Sequence, residues 1–494
     1  MKPLNLICSL LLAGAAAMLP AAQAQAKAAY DATAWLDDYA QLKKIMEKDY
    51  ANLAWFASPE GGLDLPSLDR KTLRDLHAAR TDDDARQAIG RFVAAFKGGH
   101  FSMQRPLAKV QSAPKAVPPK AFDATDGVDV CAAQGFLPSS RIAFSLPFET
   151  LPNFQLVADG LTSVYRAGIA TTGEGRKIGV IRLQNFRLKA FPATCSIALR
   201  ELRAKGAKFD AEGLYDAADE LWLSALKEQI AAFKAAGVTA LMIDVGDNSG
   251  GDDSGDLFPR LLTDKPVRSA RLMVVAGRPA KAYFKEQLTD LDAAIAAAPP
   301  KAAMDALTEA RGFFAQASQA AEASSCDMSW VWKTRRPWSG DSCKRLVNAG
   351  YAGGYAATQA QGAFGDQSIA YRLSSASRAD EFWALWTGPL YVLTDGSTYS
   401  SAEMFSAVVQ DNHIGKTVGA TTGGDGCGFM SGDIRQTLPH SGLRLRIPDC
   451  LRLRADGSNE VSGIAPDIPV LAMDGEDGRQ RSERLIEAVS ADLR

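Results

Sequence analysis

Apolar residues recur along this chain at two spacings, and the switch between them divides it. From Asp31 to Tyr50 the spacing is helical, with Trp35, Leu36, Tyr39, Leu42, Ile45 and Met46 on one side and Asp31 or Thr33 placed to cap the start. A second helix is predicted from Asp82 to Phe96. Thr81 is its N-cap, aspartates fill its first turn, and Ala85, Ile89, Phe92, Val93 and Phe96 form its stripe. Gly98-Gly99 stops that helix and leaves His100 on a loop. Residues 27–105 therefore read as a small N-terminal helical domain, and the proline-, alanine- and lysine-rich residues 106–120 as a linker.

After the linker the pattern turns mixed. Ile178–Leu183 and Ala240–Val245 are short apolar runs that read as buried strands. Between them Leu214–Ala236 is a long amphipathic helix with Leu221, Leu226, Ile230 and Phe233 on one side, ended by Gly237. Strand, helix, strand in this order implies a parallel βαβ unit, so residues 121–494 read as an α/β core. Residues 279–345 form an insertion that is alanine-rich and helical, broken at Pro299-Pro300 and closed by Cys326 and Cys343 around W-V-W-K-T-R-R-P-W. A lid over a site and a disulfide-tied surface excursion both fit it.

Composition narrows the class. A chain of 494 residues with 47% hydrophobic content can bury a large core. Its 55 basic and 57 acidic residues leave a formal charge of −2, without a basic patch of the kind nucleic acid requires. Residues 1–26 read as a signal peptide: Lys2, the apolar run Leu4–Leu19, then A-x-A cleavage sites at Ala22–Ala24 and Ala24–Ala26. No later run is long and apolar enough to span a membrane, which predicts a periplasmic or secreted protein. Export accounts for the cysteines. Apart from Cys8 there are six, and an even number in an oxidising compartment predicts disulfides. Proximity favours Cys326–Cys343 and Cys427–Cys450, with Cys131–Cys195 by elimination. A zinc site is the competing reading, but no C-x-x-C pair is present. No metal or cofactor is expected.

The candidate chemistry sits in two loops. In Gly388–Asp411 the apolar run Leu390–Leu393 is followed by a polar turn, then by Ser400 and Ser401 at the start of a helix running to Asp411. A turn of this kind exposes a hydroxyl, and the first helical N–H groups have no partner inside the helix, so they are free to meet an oxyanion. The competing reading is a plain helix cap. In D-V-G-D-N-S-G-G, from Asp244 to Gly251, Gly250-Gly251 at a strand end lets the backbone approach a ligand closely. No G-K-[ST] follows, which counts against a phosphate loop. A serine nucleophile needs a base. Of the four histidines, His77 lies in a polar helical stretch and His413 about three turns beyond Ser400. His440 falls in a hairpin, and His100 in a glycine loop suited to a positioned group.

These elements together resemble the S41 peptidases, the tail-specific processing proteases and the tricorn-type core protease. G-G-H-F at Gly98, D-V-G-D-N-S-G-G at Asp244, T-D-G-S-T-Y-S-S-A-E at Thr394 and G-I-A-P-D-I at Gly463 match the family's elements in order. The resemblance implies Ser400 as nucleophile, with Glu403 and Asp411 at two further motif positions. The tail-specific branch has its catalytic lysine 25 residues after the serine, where this chain has Asp425. The chain is therefore similar to the histidine branch, which implies His100 as base and Glu460, just before the closing element, as its orienter. Ser401, Gly250 and Gly251 are the implied oxyanion donors. Two departures stand out: Gly99 replaces the serine before the histidine, and Gly246 replaces the arginine of the D-x-R element. No PDZ element is evident between Phe101 and Ile178.

The implied fold is a crotonase-like (ClpP/crotonase) spiralled βαβ core behind the N-terminal helices. The implied activity is hydrolysis of peptide bonds in polypeptide substrates, with activity rising through about pH 6.5 for a histidine near its usual pKa. The alternative is an inactive ligand- or peptide-binding protein on the same fold. An α/β-hydrolase esterase is disfavoured by the absence of G-x-S-x-G.

Overall fold

The computed structural model describes residues 30–104, 130–137, 139–323, 326–339, 345–430 and 435–494. The expected signal peptide, the linker and Cys343 lie outside the described residues.

The N-terminal helices form where the apolar spacing places them. Helix α1, Ala32–Asp49, is capped by Asp31, whose Oδ1 accepts from Thr33 and Ala34 N–H. Helix α2 is Leu65–Ala78, and α3 is Asp82–Ala94, opened by a capping box in which Thr81 Oγ1 accepts from Asp84 N and Asp84 accepts from Thr81 N. They do not close a core of their own. Tyr39, Leu42, Ile89, Phe92 and Phe96 pack in one cluster with Leu438, Leu443, Leu445 and Val461 from near the C-terminus. The sequence hides this contact, because the partner residues lie more than three hundred positions away. Just past His100, strand Ser102–Gln104 pairs antiparallel with Arg444–Arg446, with Met103 opposite Leu445. The histidine loop is thereby fastened to the later half of the chain.

The centre is one sheet of seven strands in sequential order: β1 Phe154–Asp159, β2 Arg166–Thr171, β3 Lys177–Arg182, β4 Ala240–Asp244, β5 Leu390–Thr394, β6 Lys416–Gly419 and β7 Ile468–Pro469. Strand β2 is antiparallel to both β1 and β3, and β3 through β7 run parallel. Between β3 and β4 come α4, Pro192–Ala204, and α5, Ala211–Ala235. Strands β4 and β5 are buried at every position, and alternate side chains enter opposite layers. Leu241, Ile243 and Val392 meet α5 through Leu226, Ile230 and Phe233. Met242, Tyr391 and Leu393 meet Leu485, Ile486 and Val489 of the C-terminal helix, Gly478–Asp492. A Cβ on Gly179 would lie 2.5 Å from the Phe233 ring, so glycine is what lets α5 settle on the sheet.

The insertion after β4 is a helical hairpin, α6 Arg278–Ala296 and α7 Lys301–Ala323, packed on Leu272, Val274 and Val347. Cys131–Cys195 and Cys427–Cys450 form disulfides as expected. The third expected pair involves Cys343 and falls outside the described residues. Among the described residues no helix is long and apolar enough to cross a membrane.

Candidate active site

Strands β4 and β5 are parallel neighbours, with Asp244 opposite Leu393. Their C-terminal ends open side by side, where parallel sheets place ligands. The two loops are sewn together: Thr398 Oγ1 donates to Val245 O (2.9 Å), and Tyr399 N to Asn248 O (2.9 Å). The turn then throws Ser400 into φ 55°, ψ −114°, a strained conformation for a residue with a Cβ. Helix α8, Ser401–Asp411, starts at the next residue. The Ser401 side chain is anchored away from chemistry, its Oγ donating to Asp252 O (2.5 Å) and accepting from Gly255 N (3.1 Å). Its N–H, on the first residue of the helix, has no acceptor among the described residues.

The glycine loop fits against this turn. A Cβ on Gly250, at φ +87°, would lie 2.7 Å from Ser400 Cβ and 2.8 Å from Ser401 N. Gly250, named from the sequence as an oxyanion donor, has its N–H engaged within its own loop. Its N–H already donates to Asn248 Oδ1 (2.8 Å), while Asn248 Nδ2 donates to Leu183 O. The Gly251 N–H has no acceptor among the described residues. The departure at Gly246 also has a reason. Ser145 occupies the space, its Oγ 2.4 Å from where a Cβ would stand, and Ser145 donates to Asp244 through both N and Oγ. Arg182, from β3, supplies the buried guanidinium to Asp244.

His100 enters from the other side, and the carboxylate against it is Asp425. Asp425 Oδ1 accepts from His100 N (2.7 Å), and Oδ2 lies 3.4 Å from Nε2. Glu460, expected beside the histidine, is not there. Both of its oxygens accept from Arg452, Nε at 3.0 and 2.8 Å and Nη2 at 2.5 Å. The pair is buried, and Arg452 Nη2 also donates to Ser400 O (2.9 Å) and Gly426 O (3.0 Å). Burial would lower the Arg452 pKa, but Glu460 outweighs it and the guanidinium is held charged. For His100, burial lowers the pKa below its ordinary value; Asp425 opposes this, while Arg446 and Arg452 add to it. The shift favours the neutral imidazole, the form a base requires.

Glu403, one turn into α8, is the hub of these loops. Its Oε1 accepts from Thr422 Oγ1 (2.7 Å) and Gly424 N (2.6 Å), and its Oε2 from Ser400 N (3.0 Å), Asp425 N (2.9 Å) and Gly426 N (3.0 Å). Burial and the Glu460 charge push Glu403 up to about 7, with the Thr422 hydroxyl pulling it back. Asp411, at the other motif position, pairs with Arg454 instead (2.6 Å). His440 donates its N–H to Asp38, and His77 and His413 lie outside the cavity.

Ser400, Ser401, Gly251 and His100 open onto one cavity of about 560 Å³. Tyr283, Glu286 and Gln287 of α6 form part of its wall, so the hairpin borders the site. Gly428 runs along the imidazole, and a Cβ there would stand 2.8–3.0 Å from Cε1, Nδ1 and Nε2.

Residues 177–470 match the model of peptidase family S41. The chain belongs to this family. It is a serine-type peptidase by that membership, and its fold is similar to those of solved structures. The structure of mature CPAF is 14% identical with a TM-score of 0.55, covering 94% of this chain and 98% of that one. CPAF complexed with lactacystin gives the same TM-score and identity, over 94% and 99%. At this identity the likeness shows the fold, N-terminal helices included. No curated protein matches the chain significantly.

Within this S41 chain the serine, the histidine and the glycine loop named from the sequence all line one cavity. The sequence passed over Arg452, which follows Cys450 in an otherwise unremarked strand, and Asn248, whose side chain takes up the Gly250 N–H. Asp425 was visible only as the residue standing where a lysine belongs. Its place inside T-T-G-G-D-G-C-G, a loop free to approach other backbone, was the available signal.

Proposed function

We propose that this S41 protein is an exported peptidase that hydrolyses peptide bonds of polypeptide substrates, with Ser400 as nucleophile and His100 as general base. The observation that carries this is the convergence on one cavity of the strained serine, the buried imidazole and two N–H groups without an acceptor among the described residues. Ser400 Oγ attacks the carbonyl carbon while His100 takes its proton and later delivers it to the leaving amine. The N–H groups of Ser401 and Gly251 hold the oxyanion, and each such donor is worth about 3–4 kcal/mol of barrier. Glu460 supports the turn through Arg452. The sequential parallel strands are read as the crotonase-like core the resemblance implies. Two disulfides and the N-terminal leader pattern support a periplasmic or secreted setting.

The test is cleavage of a peptide library by the mature protein beside Ser400→Ala. Cleavage by the parent alone supports the reading. Equal cleavage by both contradicts Ser400 as the nucleophile, and cleavage by neither while peptides still bind favours a binding protein on this fold.

A further inference from the structure

Two departures from the family pattern meet in space. Gly99 stands where a serine precedes the histidine, and Asp425 where the other branch has its lysine. A Cβ on Gly99 would lie 2.9 Å from Asp425 Oδ2, 3.2 Å from Oδ1 and 3.3 Å from Cγ. A side chain at 99 and a carboxylate at 425 in its present place exclude one another.

We propose that Asp425, not Glu460, is the carboxylate that orients and charge-stabilises His100, and that the absence of a side chain at Gly99 is what admits it. The proposal rests on the reading of Ser400 and His100 given above. Asp425 grips the histidine at its backbone N–H and faces its ring nitrogen with the other oxygen. The Nε2 atom is buried and makes no hydrogen bond among the described residues, so Asp425 Oδ2 at 3.4 Å is the acceptor set to receive it. A contact of 3.4 Å is long, as catalytic hydrogen bonds often are before substrate binds. Asp425 is fixed in turn: its own N–H is held by Glu403 Oε2, the atom that also holds Ser400 N. Nucleophile and orienter thus hang from one buried oxygen. Glu460, with both oxygens on Arg452, has no reason to turn to the histidine.

The charged groups facing the imidazole are Asp425 from its glycine loop, Arg446 from strand Arg444–Arg446 and Arg452 from strand Cys450–Leu453. Both arginines oppose an imidazolium, and Asp425 is the group that favours one. In the reaction the Oγ–H bond breaks as the Oγ–carbon bond forms. The proton goes to the ring nitrogen turned away from Asp425, and the nitrogen facing Asp425 donates to Oδ2. Asp425 stays ionised throughout, and the proton leaves with the amine.

The experiment combines kcat/KM against pH with NMR titration of the His100 ring, for the parent protein, Asp425→Asn, Glu460→Gln and Gly99→Ser, with thermal unfolding as a control for folding. Asp425→Asn is expected to lose activity by about 10⁴-fold, the loss seen when a triad aspartate becomes an amide. It is also expected to move the His100 midpoint to lower pH. Glu460→Gln leaves that midpoint where it is. Gly99→Ser moves it as Asp425→Asn does, and adding Asp425→Asn to Gly99→Ser gives little further loss. If Asp425→Asn does not fold, Gly99→Ser carries the same prediction through the same titration. A midpoint that moves in Glu460→Gln and stays in Asp425→Asn and Gly99→Ser overturns the proposal. Full activity in His100→Ala would instead sink the reading of the base itself.

Discussion

Gly250 and Ser400 touch so closely that no side chain fits between them: a Cβ on the glycine would lie 2.7 Å from that of the serine. The glycine's φ of +87° is itself unfavourable for other residues. Gly250→Ala must therefore push the serine turn, with Ser401 N, out of place. A misplacement of about 1 Å in an attacking group costs about 10²-fold. The expected result is kcat falling about that far with KM changed little, measured by steady-state kinetics on a cleaved peptide. Unchanged kcat would mean that Ser400 does not need its present position.

Gly428 presses on the base in the same way. Gly428→Ala places a methyl within about 3 Å of three imidazole ring atoms, closer than packed atoms tolerate. His100 must rotate or withdraw. Activity is expected to drop sharply while melting temperature moves by only a few degrees, as for a loss of about 1 kcal/mol.

Arg452 and Glu460 form a buried pair, and breaking one side strands the other charge. Arg452→Met is expected to cost about 3–5 kcal/mol in denaturant unfolding. Replacing both, Arg452→Met with Glu460→Leu, recovers part of that stability because no buried charge is left alone. Activity is not expected to return with it, since Ser400 O and Gly426 O still lack their donor. Equal stability of the single and double variants would contradict this pairing.

The pH profile follows from the direction of the His100 shift. Burial lowers its pKa, so the acid limb of kcat/KM should have its midpoint below the ordinary value of about 6.5, with a plateau at neutral pH. The sign for stability is the same. The folded state binds fewer protons at His100 than the unfolded chain, so this contribution is complete above about 6.5 and is lost as pH falls toward the folded midpoint. A midpoint above 6.5 would contradict burial as the dominant cause.

How much of this was legible depended on distance along the chain. The serine turn could be read because strand, turn and helix start are contiguous, and α8 runs from Ser401 to Asp411 as the pattern requires. His100 could be placed on a loop, but what it touches is 325 residues away. No local pattern encodes a contact made by a glycine-loop aspartate folding over a glycine. The partner of Glu460 was hidden for the same reason: motif position named the glutamate, while Arg452, placed by strand Cys450–Leu453 beside it, takes both its oxygens. The N-terminal helices looked like a separate domain because their stripes are local, whereas Leu438 and Leu445 complete their core.

The Cys427–Cys450 disulfide ties the loop of Asp425 and Gly428 to the strand of Arg452. Reduction, or the double change Cys427→Ser with Cys450→Ser, is expected to lower activity under conditions where far-UV circular dichroism still reports a folded protein. A reduced sample with full activity would show that the loop holds without the bond.

The most direct measurement is mass spectrometry of the mature protein after reaction with a fluorophosphonate, with the adduct mapped to a peptide. The adduct should fall on Ser400, form more slowly below pH 6, and vanish in Ser400→Ala and largely in His100→Ala. An adduct on another residue, or labelling that survives Ser400→Ala, would contradict Ser400 as the nucleophile.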